Sequence, residues 1–279
     1  MRVTVARSVA DALADPAAAF IAGGTDLMVA INFGRSRPEH VVSIRDLPEL
    51  QQQNVGDRVA IGGGVTYTRL VEALGDSSRA MVEAARTVGS PQIRNAGTIG
   101  GNLGTCSPAG DTLPVLAALD AAITLRAATG TRRVPFSAFM FGPRRSERQP
   151  GELVELIEWE DAGVSQVFLK AGTRNAMVIA VANLAMVVDR RRRVVRVALG
   201  SVGPTILRAT DAERLATGLF DESGWERPLK PSDAAARHFG ELAAAAAQPI
   251  DDQRGTAAYR RHVVSVMARR ALARTGAAA

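Results

Sequence analysis

Arg94-Asn95-Ala96-Gly97-Thr98-Ile99-Gly100-Gly101-Asn102-Leu103-Gly104-Thr105-Cys106-Ser107-Pro108-Ala109-Gly110-Asp111-Thr112-Leu113-Pro114, running on through an apolar segment to Asp120, is the stretch around which the rest of the chain is organised. Between Gly97 and Gly110 nearly every side chain is small or neutral, which frees the backbone to approach something large and polar. One carboxylate, Asp111, follows it. A shorter stretch of the same kind, Ile21-Ala22-Gly23-Gly24-Thr25-Asp26-Leu27, lies upstream. Each Gly-Gly pair is expected where an apolar, strand-like approach ends. Successive backbone N–H groups in such a turn form a concave anion cradle. Two cradles imply one extended, phosphate-bearing ligand.

Working outward, a length of 279 residues gives ample core and suggests two domains. No apolar run approaches the ~20 residues that span a bilayer. The N-terminus, Met1-Arg2-Val3-Thr4-Val5, lacks the apolar core of a secretion signal, so a cytoplasmic location is expected. Cys106 is the single cysteine. That excludes an intramolecular disulfide and any Cys-x-x-Cys zinc or iron–sulfur site on this chain, so any cluster must come from a partner. His40, His238 and His262 show no metal-ligand spacing, and no metal site is expected. The net charge of +6 is almost wholly arginine, with Lys170 and Lys230 the two lysines. Base composition of a GC-rich genome accounts for that bias without nucleic-acid binding. The densest run, Arg190 to Arg193, reads as a solvated hairpin tip.

Taken in order, Arg2 to Ala6 alternates as a strand and Ser8 caps a helix through Ala14. Ala18 to Ala22 is a strand into Gly23-Gly24, and Leu27 to Ile31 resumes as a helix whose first amides face the turn. Val41 to Ile44 is a further strand, and Leu47 to Gln53 links to a second unit. There Val59 to Ile61 is a strand ending in Gly62-Gly63-Gly64, Thr66 or Thr68 opens a helix, and Ser78 to Val88 is another with Met81, Val82, Ala85 and Val88 inward. Pro91 is expected to stop that helix, with Ile93 starting a strand-like approach to the main stretch. Thr112 to Leu119 is helical, Ala122 to Arg126 and Thr131 to Val134 are strands, and Leu153 to Trp159 closes the region after a polar loop from Pro143 to Gly151. Gln166 to Ala171, Met177 to Val188 and Val194 to Val202 then read as a three-stranded antiparallel meander. Helices follow at Asp211 to Thr217, Ala234 to Ala247 and Ala257 to Arg274. The expected organisation is α+β: a first domain over 1–163, with subdomains of about 1–53 and 54–163, and a second over 166–279.

There is no Gly-x-Gly-x-x-Gly fingerprint and no Gly-x-x-x-x-Gly-Lys, which removes a Rossmann dinucleotide site and a P-loop. Glycine clusters alone are equally compatible with tight turns. The flanking residues are more specific. Ala22-Gly23-Gly24-Thr25-Asp26-Leu27, Gly97-Thr98-Ile99-Gly100-Gly101-Asn102-Leu103 and Ser107-Pro108-Ala109-Gly110-Asp111 resemble the FAD-binding subunit of molybdenum hydroxylases, the xanthine dehydrogenase and aerobic CO dehydrogenase type. The likeness continues through Phe168-Leu169-Lys170, Leu199-Gly200-Ser201-Val202-Gly203-Pro204-Thr205 and Tyr259-Arg260-Arg261-His262, so it covers nearly the full chain.

The resemblance implies a two-subdomain FAD-binding domain of the vanillyl-alcohol oxidase type, followed by a small domain with a three-stranded antiparallel sheet and helices. It implies FAD as the cofactor here, with the molybdenum cofactor on a large partner subunit and [2Fe-2S] clusters on a small one, as a dimer of heterotrimers. Electrons would pass from the clusters through FAD to NAD, oxygen or a quinone-like acceptor, and no catalytic residue is expected on this chain. By the same resemblance, Phe20, Ile21, Ala22, Gly23, Gly24, Thr25, Asp26, Leu27, Thr98, Ile99, Gly100, Gly101 and Asn102 hold the diphosphate and adjoining groups. Asp111 is an acidic flavin contact, Val154 an apolar one, and Lys170 a cation near the flavin. Two bland alternatives stand beside these: Asp111 as a cap on the helix at Thr112, and Lys170 as a surface strand residue. Val88 stands where animal-type xanthine dehydrogenases have a phenylalanine, which argues against an animal-type NAD site. A free-standing FAD-dependent oxidase is the alternative function, and an arginine-rich nucleic-acid or scaffold protein a third.

Overall fold

The computed structural model describes residues 1–277. The chain begins with β1 (Arg2–Val5), α1 (Val9–Ala12), β2 (Ala19–Ile21), α2 (Leu27–Asn32) and β3 (His40–Ser43). The three strands make a small parallel sheet in the order β1-β3-β2. Ser8 caps α1 by accepting from the Asp11 amide, as its position before an apolar helical run predicts. The sheet is short, but Val42, Ile44, Leu47 and Leu50 fill a core beneath it with Leu153 of a later strand.

A second unit holds β4 (Gln53–Asn54), β5 (Arg58–Gly62), α3 (Tyr67–Leu74), α4 (Arg79–Thr87), α5 (Pro91–Ala96), α6 (Ile99–Thr105), α7 (Thr112–Ala118), β6 (Ala122–Ala127), β7 (Gly130–Pro135), α8 (Phe136–Phe139), β8 (Met140–Gly142), β9 (Arg145–Ser146) and β10 (Leu153–Glu160). Its five-stranded sheet runs β4-β5-β10-β6-β7, antiparallel throughout. The helix α7 is sealed within this unit, with every residue buried.

Here the structure departs from the expected strand-like approach. Pro91 does not simply end α4; it opens α5 at the first helical position, with the Ser90 hydroxyl accepting from the Ile93 amide. A proline at that position loses no hydrogen bond and has its φ preset. The Gly100-Gly101 pair then lies inside α6, which starts at a Thr98 cap. Glycine is a poor helix former, but packing overrides it: a Cβ at Gly100 would stand 2.4 Å from the Gly63 carbonyl oxygen.

The C-terminal part contains β11 (Gln166–Ala171), β12 (Ala182–Asp189), β13 (Val194–Gly200), β14 (Leu207–Arg208), α9 (Thr210–Ser223), α10 (Asp233–Ala245) and α11 (Ala257–Ala277). Its antiparallel sheet has four strands, not three, because the two-residue β14 adds to the edge of β13. β12 starts at Ala182 rather than Met177; Met177 and Ile179 are exposed. All eight residues of β12 are buried, since both faces of this sheet are covered. Leu184, Met186 and Val188 pack with α9, α10 and α11, while Ala185 and Val187 join the core of the preceding unit. Alternation along the strand sends every second residue of β11 and β12 toward α4 and α7.

The Arg190 to Arg193 turn is not merely solvated. Arg192 pairs with Glu160 at 2.8 Å and Asp189 at 2.8 Å, Arg191 donates to the Asp161 carbonyl at 2.5 Å, and Arg190 lies over the Phe220 ring. The turn is thereby tied to the end of β10. No helix among the described residues is long and apolar enough to cross a membrane.

Candidate functional site

A cleft of about 770 Å³ opens between the small parallel sheet, the glycine-rich helices and the C-terminal part. One wall is Phe20, Ile21, Ala22, Gly23, Gly24, Thr25, Asp26 and Leu27, the whole loop from the end of β2 to the start of α2. Among the described residues, the amides of Gly23, Gly24, Thr25 and Asp26 meet no acceptor. Unmatched backbone donors on the wall of a large cleft are the donor set that an anionic group requires. Gly23 is fixed as glycine by close approach, since its Cβ would come within 2.4 Å of the Ala96 carbonyl carbon.

The facing wall carries Thr98, Gly100, Gly101 and Asn102, with Gly104 beyond them. Its amides are already used. Ile99 donates to Val65 at 3.1 Å, Gly100 to Gly63 at 3.0 Å and Asn102 to Thr98 at 3.0 Å, while Gly101 donates to the Thr98 hydroxyl at 2.9 Å. Two amide cradles therefore reduce to one, because the second segment is a capped helix. Its glycines serve instead as a bare surface: a Cβ on Gly104 would meet nothing within 4 Å. Ile99 points away from the cleft, fully buried in the core.

Asp111 lines the cleft, and Lys170 does not. The Asp111 side chain makes no cap for α7. Its Oδ2 accepts from Lys170 Nζ at 2.6 Å and from the Thr87 hydroxyl at 3.2 Å, and its Oδ1 accepts from Asn183 Nδ2 at 3.0 Å. Burial pushes the Asp111 carboxyl above the usual carboxylate range, against the pull of Lys170, Asn183 and Thr87. Lys170 is likewise no surface residue, with its side chain 10% exposed. Tyr67, buried beside this group, has its phenol pushed up by burial and by the Asp111 charge. Cys106, between Thr105 and Ser107 of the cleft lining, is buried with its thiol pushed up to about 11 by burial, which makes it inert.

Val154 lines the cleft beside Gly63, and Val88, Ile93, Val178 and Ile179 supply further apolar surface. Three arginines at the rim, Arg35, Arg144 and Arg148, escaped the sequence reading. Arg144 approaches Asp26 at 3.7 Å. Arg148 donates to the Glu152 carbonyl at 2.9 Å, and burial lowers the pKa of its guanidinium. Arginines outside regular elements look like any solvated cation, so nothing in the sequence singles out these three. The phosphate-sized donor set, the elongated cleft, the bare glycine surface and the buried carboxylate together suit a large ligand with an anionic middle and a polar ring, as FAD is.

Comparison with known proteins agrees. Residues 1–158 match the FAD binding domain in molybdopterin dehydrogenase, and residues 167–275 the CO dehydrogenase flavoprotein C-terminal domain. The chain is 38% identical to the nicotinate dehydrogenase FAD-subunit of Eubacterium barkeri over 61% of this chain and 60% of that one. It is 31% identical to the 6-hydroxypseudooxynicotine dehydrogenase complex subunit alpha of Paenarthrobacter nicotinovorans, over 92% of this chain and 86% of that one. Among solved structures, a chain of the reconstituted CO dehydrogenase from Oligotropha carboxidovorans superposes with a TM-score of 0.88 at 28% identity, covering 100% of this chain and 98% of that one. The chain thus belongs to the molybdopterin dehydrogenase FAD-binding family, as an oxidoreductase component that joins the FAD-binding domain to the CO dehydrogenase flavoprotein C-terminal domain.

Proposed function

We propose that this chain is the FAD-carrying medium subunit of a multi-subunit molybdenum hydroxylase, receiving electrons from [2Fe-2S] clusters on a small subunit that are fed by a molybdenum centre on a large one. The observation that carries this reading is the cleft itself, where unmatched amides at Gly23 to Asp26 face a capped glycine helix and end near a buried carboxylate. In this reading the β2–α2 loop, Phe20 to Leu27, takes the diphosphate. Thr98, Gly100, Gly101 and Asn102 form the wall against which the cofactor lies, and Val154 makes an apolar contact.

Asp111 Oδ2 accepts from Lys170 and Oδ1 from Asn183, while the single Thr87 hydroxyl proton is shared between Oδ2 and the nearer Ala84 carbonyl at 2.8 Å. Two oxygens with about four lone-pair sites between them leave the carboxylate capacity to accept a ring N–H. Ile99 and Lys170 support these residues from behind. FAD supplies the ability to collect electrons one at a time and deliver them in pairs to an acceptor. What the protein does is hold, orient and shield it.

The fold type we assign to the FAD-binding part is that of vanillyl-alcohol oxidase, with a domain boundary at about 163–166, assembly as a dimer of heterotrimers and a cytoplasmic site. The relatives support partner subunits: one is the alpha subunit of a dehydrogenase complex. Purification from the native source under mild conditions is the test. The chain should travel with molybdenum- and iron–sulfur-bearing polypeptides, and the substrate of that complex should bleach the flavin only when all three are present. Turnover of an alcohol or lactone by the lone chain would refute the assignment in favour of a self-sufficient oxidase.

A further inference from the structure

β11 and β12 are joined by an antiparallel register that sets Lys170 directly opposite Asn183. Both stand on the face that Phe168 and Ala185 turn toward α4 and α7, and both reach the same carboxylate, Asp111, from the C-terminal part of the chain. Lys170 Nζ lies 2.6 Å from Asp111 Oδ2 and 3.2 Å from the Thr87 carbonyl. Two of its three N–H donors are thus consumed inside the protein, and the residue has no place on the cleft wall. Asn183 is held by one hydrogen bond, to Asp111 Oδ1, and its own buried Oδ1 has no partner among the described residues. A Cβ on Gly200, its partner in β13, would fall 2.2 Å from Asn183 Oδ1, so only glycine there lets the amide point at Asp111.

From this geometry we infer that Lys170 is a positioning residue: it acts on the bound cofactor through Asp111, keeping that carboxylate ionised and aimed, and makes no contact of its own with the flavin. The inference rests on the FAD reading above. It replaces a free cation beside the flavin with a neutral pair, of which the carboxylate alone faces the ligand. The groups around Asp111 are the Thr87 hydroxyl from α4, Lys170 from β11, the Asn183 amide from β12 and the Tyr67 phenol from α3. Lys170 is the one cation among them. Burial already pushes the Asp111 carboxyl up. Without the ammonium, the largest influence opposing burial is gone and the Asp111 carboxyl is pushed further up, toward its uncharged form.

A double-mutant cycle read by FAD affinity tests this, using the full chain and the variants D111N, K170M and D111N/K170M. Each single variant should weaken FAD binding about tenfold, the worth of one charge-assisted hydrogen bond. The double variant should bind no more weakly than D111N. In K170M the affinity should also acquire a pH dependence, recovering as the pH rises and Asp111 ionises, while K170R stays near wild type. Additive losses, or a K170M affinity that is flat with pH, overturn the inference. Should the single variants fail to fold, the structure of the FAD-loaded wild type decides. Lys170 Nζ still on Asp111 and out of hydrogen-bond reach of the flavin supports the inference, and a direct Nζ–flavin hydrogen bond overturns it. A wild-type chain that binds no FAD overturns the function reading as well, which separates the two failures.

Discussion

Gly104→Leu separates the cleft from the fold more cleanly than any other substitution. Gly104 sits in the last turn of α6, and a Cβ there would meet nothing within 4 Å. The new side chain would enter the space that Gly104 borders, which is the cleft. For the empty protein the change is favourable, because leucine exceeds glycine in helix propensity by roughly 0.5–1 kcal/mol. For the loaded protein it is overpacking, at a cost of about 1–3 kcal/mol. At ~1.4 kcal/mol per decade, that weakens FAD binding by about 5- to 150-fold. Thermal denaturation of the cofactor-free chain and equilibrium titration with FAD measure the two effects. An unchanged or raised Tm with weakened binding is expected. FAD affinity equal to wild type would refute the placement of the cofactor along α6. The same change at Gly100 tests nothing, since a Cβ 2.4 Å from the Gly63 oxygen disturbs the protein before any ligand arrives.

Two further substitutions or conditions probe the framework. Arg260, 1% exposed, donates to the Val181 carbonyl at 3.0 Å, the Ser201 carbonyl at 2.5 Å and Asp252 Oδ1 at 2.5 Å. Arg260→Met strands all three and should cost about 3–5 kcal/mol, read as a lowered urea midpoint; an unchanged midpoint would show that water replaces the guanidinium freely. On acidification, Glu152 is held below the usual range by Arg132, and Asp252 by Arg254 and then Arg260. Folded pKa values below unfolded ones mean that this stability is complete above the unfolded values and is lost as pH falls through the folded ones. Asp15 and Asp189 are lowered as well, so Asp111, shifted the other way, opposes the trend as a single group against four. Tm should hold from about pH 7 to pH 5 and fall below about pH 4, with Glu152→Gln blunting the fall. A Tm constant down to about pH 3 would contradict the assignment of those pairs.

The legible parts of the fold were those whose signals are local. The β-rich run from Val194, the Ser8 cap and the helical spacing of Leu70 and Leu74 each fix an element from its own residues, whereas the choice between Thr66 and Thr68 as the cap of α3, which falls on Thr66, is made only by the structure. α6 was hidden because its stability comes from contact with Gly63 and from the Thr98 cap rather than from propensity; with four glycines between 97 and 104, the sequence argues for a turn. Ser90-Pro91 carries a start signal for α5, a serine cap before a proline at the first helical position, although the same proline is equally compatible with the end of α4. β14 exists through two residues paired to β13, which no local pattern announces.

The site divides in the same way. The Gly23-Gly24 loop was readable as an amide cradle from composition alone, and its amides are indeed unmatched. Asp111 was identifiable as a carboxylate beside the glycines. Its ion pair was not, because Lys170 lies 59 residues away and meets it through sheet register and the packing of β11 on α4. The outward face of the Arg190 to Arg193 turn misled for the same reason, since Glu160 and Asp161 reach it from another strand.

The central claim, that this cleft is an FAD site, is tested most directly by titrating the purified chain with FAD and following flavin fluorescence and bound stoichiometry. Saturable binding of one FAD per chain is expected, competed by ADP through the Gly23 to Asp26 amides and weakened by Gly104→Leu. A folded chain that binds no FAD, or binds it with an affinity indifferent to Gly104→Leu, would contradict it.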